Sequence, residues 1–354
     1  MTRTFDPYAL LRPLIFRMTP ETAHHAAFAL GSIAQRIPGM LRLTREFCGQ
    51  PDPGLAREVF GLKFPSPVGL AAGLDKGAQL LPLWQALGFG FVEIGTVTPR
   101  PQAGNPKPRV FRVPEENLIL NRMGFNSEGV EVVAQRLRTR PKGLIVGGNI
   151  GKNKETAEED ALADYMAAYR AIAPLVDYVA LNISSPNTPG LRKLQAPEAL
   201  RPLLAGMLAL RKELCLERQP LLVKLAPDME PAELDATVDA VVESGVNGLI
   251  ATNTTLDRTI VSAMNRERVE AMGMGGLSGR GLKIKAREVH RQVLKRIPRD
   301  LKLMACGGIG SGEDAAVALQ DGAALVQIYS SLIFEGPMLV GRMNRDLAER
   351  TYYS

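Results

Sequence analysis

The chain has 354 residues, of which 45% are hydrophobic and 23% charged. This composition is typical of a folded protein and excludes a largely disordered one. The net charge is +6, but most of it lies in residues 1–45, which hold six arginines against Asp6 and Glu21. The rest shows no basic stripe with interleaved aromatic residues, so we expect no nucleic-acid partner.

The three cysteines, Cys48, Cys215 and Cys306, lie far apart in the chain. Their spacing matches neither a metal site nor a disulfide framework, so we predict no metal and a reducing compartment. No apolar run is long enough to span a bilayer, and the N-terminus lacks the apolar region of a signal peptide.

Residues 1–45 are predicted to form a small helical segment. The stretches DPYALLRPLIFRM and TPETAHHAAFALGSIAQRI each have apolar residues at helical spacing, with Thr19 as a plausible N-cap and Pro20 at the first helical position. Two interpretations remain open. The helices could simply pack on the main domain, or their apolar faces with an arginine rim could bind an anionic membrane surface.

Short apolar runs that end in Gly, Asn, Ser or Thr recur through residues 46–354. Such runs are typical of strands that are buried on both faces of a parallel sheet. Helical stretches lie between several of them, for example residues 76–87, 161–175, 231–245 and 312–323. There are eight such runs: PVGLAAGL (67–74), FVEIGTVT (91–98), LIVGGNIG (144–151), YVALNISS (178–185), LLVKLAP (221–227), GLIATNT (248–254), LMACGGI (303–309) and LVQIYS (325–330).

Eight strand–helix units predict an α/β fold, a (β/α)8 TIM barrel, with a doubly wound open sheet as the alternative. The polar strand ends favour the barrel, because it brings all eight ends to one rim, whereas an open sheet would spread them along a line. The polar residues at these ends are Lys76, Thr96, Asn149, Asn182, Lys224, 252–254, 307–308, Tyr329 and Ser330.

Two long connections interrupt the repeating pattern, at residues 99–129 and 254–281. In the first, RVFRVPEENLILN predicts a hairpin that would lie over the rim. Connections of this length in a compact domain are usually functional or mobile.

Three glycine- or asparagine-rich motifs at the strand ends suggest a ligand site. GLAAGLDKG would let a flat ligand approach the backbone, and taken alone it is more typical of a tight turn with a solvated lysine. ACGGIGSGEDA precedes a helix where TIM barrels commonly bind phosphate. LNISSPNT crowds Asn182, Ser185, Asn187 and Thr188 together, and uncharged amides suit a ligand with amide or imide edges.

Lys224 is unusual because it lies within the apolar run LLVKLAP. A lysine is rarely buried without a partner. It is either an ion-pair member inside the barrel or a fixed positive charge beside an electron-rich cofactor ring.

The motifs together resemble those of the quinone-dependent, class 2 dihydroorotate dehydrogenases over nearly the whole chain. The residues that carry the resemblance are GLAAGLDK, IGTVTPRPQAGNPKPRVFR, NRMGFN, LNISSPNTPGLR, VKLAPD, ATNTT, GGLSG, CGGI and QIYSS. The resemblance implies an FMN-containing TIM barrel that oxidises (S)-dihydroorotate to orotate in pyrimidine biosynthesis and passes the electrons to a membrane quinone. Class 1 members have cysteine where this chain has Ser185 and lack the helical extension, so both features point to class 2.

The resemblance also implies residue roles. FMN would be held by Ala71, Ala72, Gly73, Leu74, Asp75, Thr96, Asn149, Asn182, Lys224, Thr252, Gly279, Gly308, Tyr329 and Ser330. The substrate would be bound by Lys76, Asn121, Arg122, Met123, Gly124, Phe125, Asn182, Asn187, Asn253 and Thr254.

Ser185 would be the catalytic base that removes the C5 proton of dihydroorotate. A serine hydroxyl is a poor base without help, so the resemblance implies a proton relay through water and Thr188, under a lid near Phe125. The quinone would enter between the N-terminal helices and reach the flavin near His24, Arg112 and Tyr329. His24 could instead be an ordinary surface histidine.

The implied partners are dihydroorotate, a quinone and a membrane surface, with no separate electron-transfer subunit. If the protein is bacterial, we expect it at the cytoplasmic face of the inner membrane. The competing hypotheses are an FMN barrel that uses a nicotinamide partner, a flavin-free lyase with Lys224 as a Schiff-base amine, and a membrane scaffold without activity.

Overall fold

The computed structural model describes residues 6–352. Arg3 and the rest of residues 1–5, which belong to the predicted N-terminal segment, lie outside the described residues, as do residues 353–354. The strands are β1 Arg57–Val59, β2 Leu62–Phe64, β3 Val68–Leu70, β4 Phe91–Val97, β5 Val110–Val113, β6 Leu118–Asn121, β7 Ile145–Ile150, β8 Tyr178–Asn182, β9 Leu221–Leu225, β10 Gly248–Ala251, β11 Gly276–Gly279, β12 Lys302–Cys306 and β13 Leu325–Ile328.

Helices precede, separate and follow these strands. They are α1 Pro7–Ile15, α2 Pro20–Ala34, α3 Met40–Cys48, α4 Leu81–Ala86, α5 Val130–Leu137, α6 Ala161–Ile172, α7 Pro197–Glu213, α8 Pro231–Ser244, α9 Ala263–Ala271, α10 Lys283–Arg296, α11 Gly312–Gln320, α12 Ser330–Glu335 and α13 Leu339–Tyr352. Among the described residues, no helix is both long and apolar enough to cross a bilayer.

Eight parallel strands close into a barrel in the order β3-β4-β7-β8-β9-β10-β12-β13, and β13 pairs back onto β3. Seven of the eight predicted apolar runs contain one of these strands, and the eighth, 303–309, begins one residue after the start of β12. The prediction of a TIM barrel is therefore confirmed and the open sheet is excluded. The strands are almost entirely buried, because the surrounding helices cover their outer faces and side chains fill the interior.

The end of the barrel at the strand N-termini is filled by large apolar side chains. Phe91, Tyr178 and Met304 form one buried cluster there with Val59 and Phe64. The last two residues belong to the antiparallel β1–β2 hairpin, which lies outside the barrel. This packing leaves the opposite end, where the strands terminate, as the open one.

The two long connections meet over that open rim. The predicted hairpin is confirmed as the antiparallel pair β5–β6, and β11 from the second connection pairs with β6 to complete a three-stranded sheet. The sequence did not predict β11, because its residues GLSG are poor strand formers that depend on a neighbouring strand for pairing.

The N-terminal helices are confirmed, and the Thr19 hydroxyl accepts a hydrogen bond from the Thr22 amide at 3.3 Å as the predicted N-cap. Helix α2 packs on α4, where Phe28 and Trp84 have ring centroids 6.2 Å apart. Helix α3 was not predicted, and it continues past the proposed boundary at residue 45 to Cys48.

Candidate active site

A single cavity of about 1720 Å³ opens at the C-terminal ends of the barrel strands and continues between α1, α2 and the rim. It exceeds the few hundred to about 1,000 Å³ usual for one small-molecule pocket. The cavity therefore has room for more than one ligand, arranged in sequence from the barrel axis to the N-terminal helices.

Most of the residues predicted to hold FMN line this cavity, and they come from different strand ends. They are Ala71, Ala72, Gly73, Leu74, Thr96, Asn182, Lys224, Thr252, Gly279, Gly308, Tyr329 and Ser330. Gly308 shows why a small residue stands here. A Cβ on Gly308 would lie 2.3 Å from the Lys283 Cα, and Gly308 has a φ of +71°.

The structure places Asp75 and Asn149 away from the cavity wall. Asp75 is fully buried and accepts hydrogen bonds from the amides of Gln79 and Leu80 and from the Trp84 indole. Burial raises the pKa of the Asp75 carboxyl, although these donors oppose the shift. The Asp75 side chain is therefore committed to anchoring α4 and is not available to a ligand in the cavity.

Asn149 supports the cavity wall from behind. Its Oδ1 accepts a hydrogen bond from the Thr96 hydroxyl at 2.6 Å and its Nδ2 donates to Glu93 at 2.9 Å. Thr96 Oγ1 in turn accepts from Asn182 Nδ2 at 2.7 Å. Asn149 thus fixes the orientation of two side chains that do face the cavity.

The residues predicted to bind substrate form a cluster of amides beside this wall. Asn187 Nδ2 donates to Asn121 Oδ1 at 3.2 Å, and Asn253 Nδ2 donates to Asn182 Oδ1 at 3.3 Å. Thr254 Oγ1 is buried without a hydrogen-bond partner among the described residues. Since buried polar groups are normally paired, this cluster has the donors, acceptors and unsatisfied capacity to bind a small polar ring.

Met123, Gly124 and Phe125 also line the cavity, whereas Arg122 does not. The Arg122 guanidinium donates to the carbonyls of Met272 and Met274. It therefore ties the first long connection to the second.

Ser185 lies on the cavity wall and is almost completely buried. Its Oγ accepts a hydrogen bond from the Asn187 amide at 3.2 Å, and no histidine or carboxylate contacts it among the described residues. Thr188 is buried and does not line the cavity, and its Oγ1 also lacks a partner in the described part of the chain. The Thr188 hydroxyl is thus free to bond to a group that the protein itself does not supply.

Lys76 approaches the cluster from the end of β3, and its ammonium donates to Asn126 Oδ1. Burial, followed by the nearby charge of Arg109, lowers the pKa of Lys76 to about 7, and Glu21 opposes that shift. The ammonium therefore changes charge within the physiological pH range, which makes it a pH-sensitive anion site.

Lys224 faces the cavity from the middle of β9 and also forms an ion pair, with Nζ 3.5 Å from Oε1 of Glu93. The ion-pair interpretation is therefore confirmed, and the role of Lys224 beside a cofactor ring stays a prediction that its place on the cavity wall allows. Glu93 was not predicted as part of the site, although the sequence carried a signal: it is a second charged residue inside an apolar strand, FVEIGTV.

Arg192 is another residue that sequence reasoning missed. Its guanidinium donates to the carbonyls of Ser184 and Thr254 at 3.1 and 3.0 Å and pairs with Asp228 at 2.9 Å. It joins the ends of β8 and β10, and it therefore holds Ser185 and Thr254 in their places. Nothing in the sequence distinguishes this arginine from a solvated one.

The outer part of the cavity is lined by α1 and α2. His24 packs against Phe28 with ring centroids 4.2 Å apart, and burial lowers the pKa of His24 to about 4. Arg112 lies 4.4 Å above the Phe16 ring and donates to the Met18 carbonyl. Tyr329 also lines the cavity, and its hydroxyl donates to the Gly73 carbonyl of the inner wall at 3.4 Å. The three residues predicted for the quinone site thus line one continuous passage, and His24 is not a simple surface histidine.

Comparisons with known proteins agree with this geometry. The family model described as Dihydroorotate dehydrogenase matches residues 54–351. Two similar proteins are named "Dihydroorotate dehydrogenase (quinone)". The protein of Thermobifida fusca is 47% identical, and the alignment covers 96% of this chain and 91% of that protein. The protein of Halorhodospira halophila is 48% identical, and the alignment covers 94% of this chain and 95% of that protein.

Solved structures also point to this family. The crystal structure of DHODH from Eimeria tenella in complex with ferulenol superposes with a TM-score of 0.84 at 35% identity, covering 94% of this chain and 92% of that one. The shared barrel, the strand-end cavity and these identities together place the chain in the dihydroorotate dehydrogenase family.

Proposed function

We propose that this protein oxidises (S)-dihydroorotate to orotate in pyrimidine biosynthesis and passes the electrons through FMN to a membrane quinone. The observation that carries the proposal is the continuous cavity. It joins a cluster of asparagines around Ser185 at its inner end to an apolar passage between α1 and α2 at its outer end. One ligand site for a polar pyrimidine and another for an apolar acceptor are what this reaction requires.

The inner wall fits FMN. Lys224 would supply a positive charge, Thr96 and Asn182 would supply hydrogen-bonding groups, and Gly308 and Ser330 line the cavity at the strand ends where TIM barrels commonly bind phosphate. When bound, FMN supplies a reversible two-electron acceptor between the substrate and the quinone. Asp75 and Asn149 contribute to this wall only indirectly, through α4 and through Thr96.

The residues of the chain would act on the substrate in two ways. Lys76 and the asparagines hold the carboxylate and the amide edges of the ring, which fixes its orientation. Ser185 removes the C5 proton while the C6 hydrogen leaves with two electrons, so that the C5–C6 double bond of orotate forms. The unpartnered Thr188 hydroxyl supports its role in carrying the Ser185 proton onward through water, because a serine needs help to act as a base.

We also propose that the N-terminal helices bind the surface of a membrane, at the cytoplasmic face of the inner membrane if the protein is bacterial. The exposed large apolar residues of these helices support the proposal, and arginines flank them. On the helices they are Leu10, Leu11, Leu14, Leu30, Ile33, Leu43 and Phe47, and Met18 and Ile37 lie in the connections between the helices. A membrane-bound entrance would let a quinone pass from the bilayer into the cavity without a separate electron-transfer subunit.

Anaerobic mixing tests the proposed function. The purified protein should be yellow, dihydroorotate should bleach the flavin absorbance, and a soluble quinone analogue should restore it. NADH should not bleach it, which separates this function from that of a flavin barrel with a nicotinamide partner. A colourless protein, or one that dihydroorotate leaves oxidised, would contradict the proposal.

A further inference from the structure

Glu93 is a carboxylate at the centre of the barrel, completely shielded from solvent. Four side chains from four other strands converge on it. Gln327 Nε2 donates to its Oε2 at 2.7 Å, the Tyr178 hydroxyl donates to the same oxygen at 3.1 Å, Asn149 Nδ2 donates to Oε1 at 2.9 Å, and Lys224 Nζ lies 3.5 Å from Oε1. A carboxylate with this many donors is held in one position.

Only one member of this group carries a compensating charge. Tyr178, Gln327 and Asn149 are neutral hydrogen-bond donors, whereas Lys224 is a cation. Lys224 also lines the cavity, and Glu93 does not. The negative charge of Glu93 therefore lies one side chain behind the inner wall, separated from any ligand there by the lysine.

The same carboxylate supports the rest of the wall. Asn149, which donates to Glu93, accepts from Thr96, and Thr96 accepts from Asn182. Replacing Glu93 would therefore affect both the charge behind the wall and the orientation of the residues in it. The Glu93 carboxylate has no contact with solvent. Because water does not screen its charge, that charge acts more strongly on a ligand at the inner wall than it would in solution.

We propose that Glu93 is a positioning residue that holds the Lys224 ammonium against the cavity wall, and that its own negative charge lowers the reduction potential of the bound flavin. The inference rests on the proposed function, since it assumes that FMN occupies the inner wall. A negative charge near the flavin disfavours the added electrons, and Lys224 alone would favour them. The two residues therefore set the potential in opposite directions.

The test is the midpoint potential of the flavin, measured in the holoenzyme by equilibrium titration against a reference dye. In E93Q the potential should rise, so that the ratio of reduced to oxidised flavin at a fixed applied potential increases about tenfold, which is about 30 mV for a two-electron couple. K224M should lower the potential. The conservative variant E93D keeps the charge and should stay close to the wild type.

The control variant is Y178F, which removes one hydrogen bond from the same carboxylate without changing any charge. Its potential should remain close to that of the wild type. If Y178F shifted the potential as far as E93Q, packing and not charge would be responsible, and the inference would be wrong.

A second comparison covers the case in which E93Q does not fold, since it leaves the buried Lys224 without a partner. The double variant E93Q/K224M buries no unpaired charge. It should have a higher potential than K224M, because K224M keeps the Glu93 carboxylate, still held by the donors Asn149, Tyr178 and Gln327, and the double variant lacks it. Equal potentials in K224M and E93Q/K224M would overturn the inference. The proposed function would still stand if the wild-type protein is yellow and dihydroorotate bleaches it.

Discussion

Glu21 on α2 and Arg109 next to β5 form an ion pair that fastens the N-terminal helices to the cover of the active site. Arg109 Nη2 and Nε lie 2.7 and 3.2 Å from Glu21 Oε1, and both side chains are largely buried. Arg109 Nη1 also donates to the carbonyls of Ala103 and Asn105. The pair therefore links the proposed quinone entrance to the connection that carries the substrate residues.

The variant E21Q should destabilise the protein by about 2 kcal/mol, because it leaves the buried Arg109 without a counter-charge. Quinone turnover should fall more than the rate of flavin reduction by dihydroorotate. The N-terminal helices lose their anchor in E21Q, whereas the asparagine cluster keeps its own hydrogen bonds. Thermal unfolding and stopped-flow absorbance measure the two effects.

The matched control is E46Q, which breaks the exposed pair between Arg42 and Glu46 on α3. Exposed pairs of this kind contribute only about 0.3–0.5 kcal/mol. Equal losses of stability in the two variants would contradict an anchoring role for Glu21.

The ion pair also predicts a dependence of stability on pH. Burial would raise the pKa of Glu21, but hydrogen bonding with Arg109 and the charge of Arg109, together with Lys107, outweigh it and lower the pKa. A lowered carboxyl pKa stabilises the fold fully above the ordinary value of 4.5, and this stability is lost as the pH falls through the folded-state pKa. Acid titrations of unfolding should therefore be steeper in the wild type than in E21Q.

Replacing Ser185 by alanine should leave FMN bound but slow flavin reduction by dihydroorotate about 10²- to 10⁴-fold, the usual contribution of a positioned base. The neighbouring S184A is the control. Ser184 is fully buried, is not among the residues that line the cavity and accepts a hydrogen bond from Asn253 at 3.0 Å, so its loss should cost less than about tenfold. Stopped-flow reduction at saturating substrate compares them, and a wild-type rate in S185A would remove Ser185 from the mechanism.

The barrel itself was predictable from the sequence because each strand combines an apolar run with a polar end. A strand that is covered on both faces needs an apolar run, and a site at one rim of the barrel needs polar residues at the strand ends. The hairpin around residues 110–121 was predictable for a similar reason, since two apolar stretches flank a short polar turn. These signals are local, so a single sequence carries them.

Side-chain direction was not predictable in the same way. Asp75 follows the motif GLAAGL directly, but its carboxylate turns away from the cavity to Trp84. Arg122 lies among substrate residues and instead contacts the carbonyl of Met272. The partner of Arg122 comes from a distant part of the chain, whereas the donors to Asp75 follow it within nine residues. Neither periodicity nor spacing specifies which way such a side chain turns. The pairing of β11 with β6 was missed for the same reason.

The charge of Lys76 should make substrate-site affinity depend on pH. Its pKa of about 7 means that the ammonium is present below pH 7 and is lost above it. The carboxylate of orotate binds the charged form, so the dissociation constant should rise by up to about tenfold per pH unit above pH 7. Titrating the flavin absorbance with orotate between about pH 6 and 8.5 measures this slope.

The variant K76M should bind orotate weakly and with no such slope, because it cannot be protonated. Lys107 offers a control, since it is largely exposed and contacts Glu21 from outside the cavity. K107M should keep the wild-type slope. A wild-type affinity that stayed constant over this range would show that Lys76 does not hold the carboxylate.

Membrane binding can be tested on the exposed apolar faces of the N-terminal helices. Leu14 and Leu30 have 64% and 68% of their surface exposed, and each would contribute about 1.5 kcal/mol if a bilayer interface buried it. The variant L14E/L30E should therefore bind vesicles that contain phosphatidylglycerol at least about tenfold more weakly than the wild type in a sedimentation assay. Met264 on α9 is 90% exposed but lies outside these helices, so M264E should bind normally.

Salt provides the second part of the same experiment. If the arginines of residues 6–45 contribute, binding to anionic vesicles should weaken as the ionic strength rises, and binding to vesicles of neutral lipid should be weaker throughout. The part of vesicle binding that comes from the apolar side chains should persist at high salt, and L14E/L30E should lack it. Should M264E lose as much binding as L14E/L30E, the effect would reflect added negative charge, and these helices would not be the membrane-binding surface.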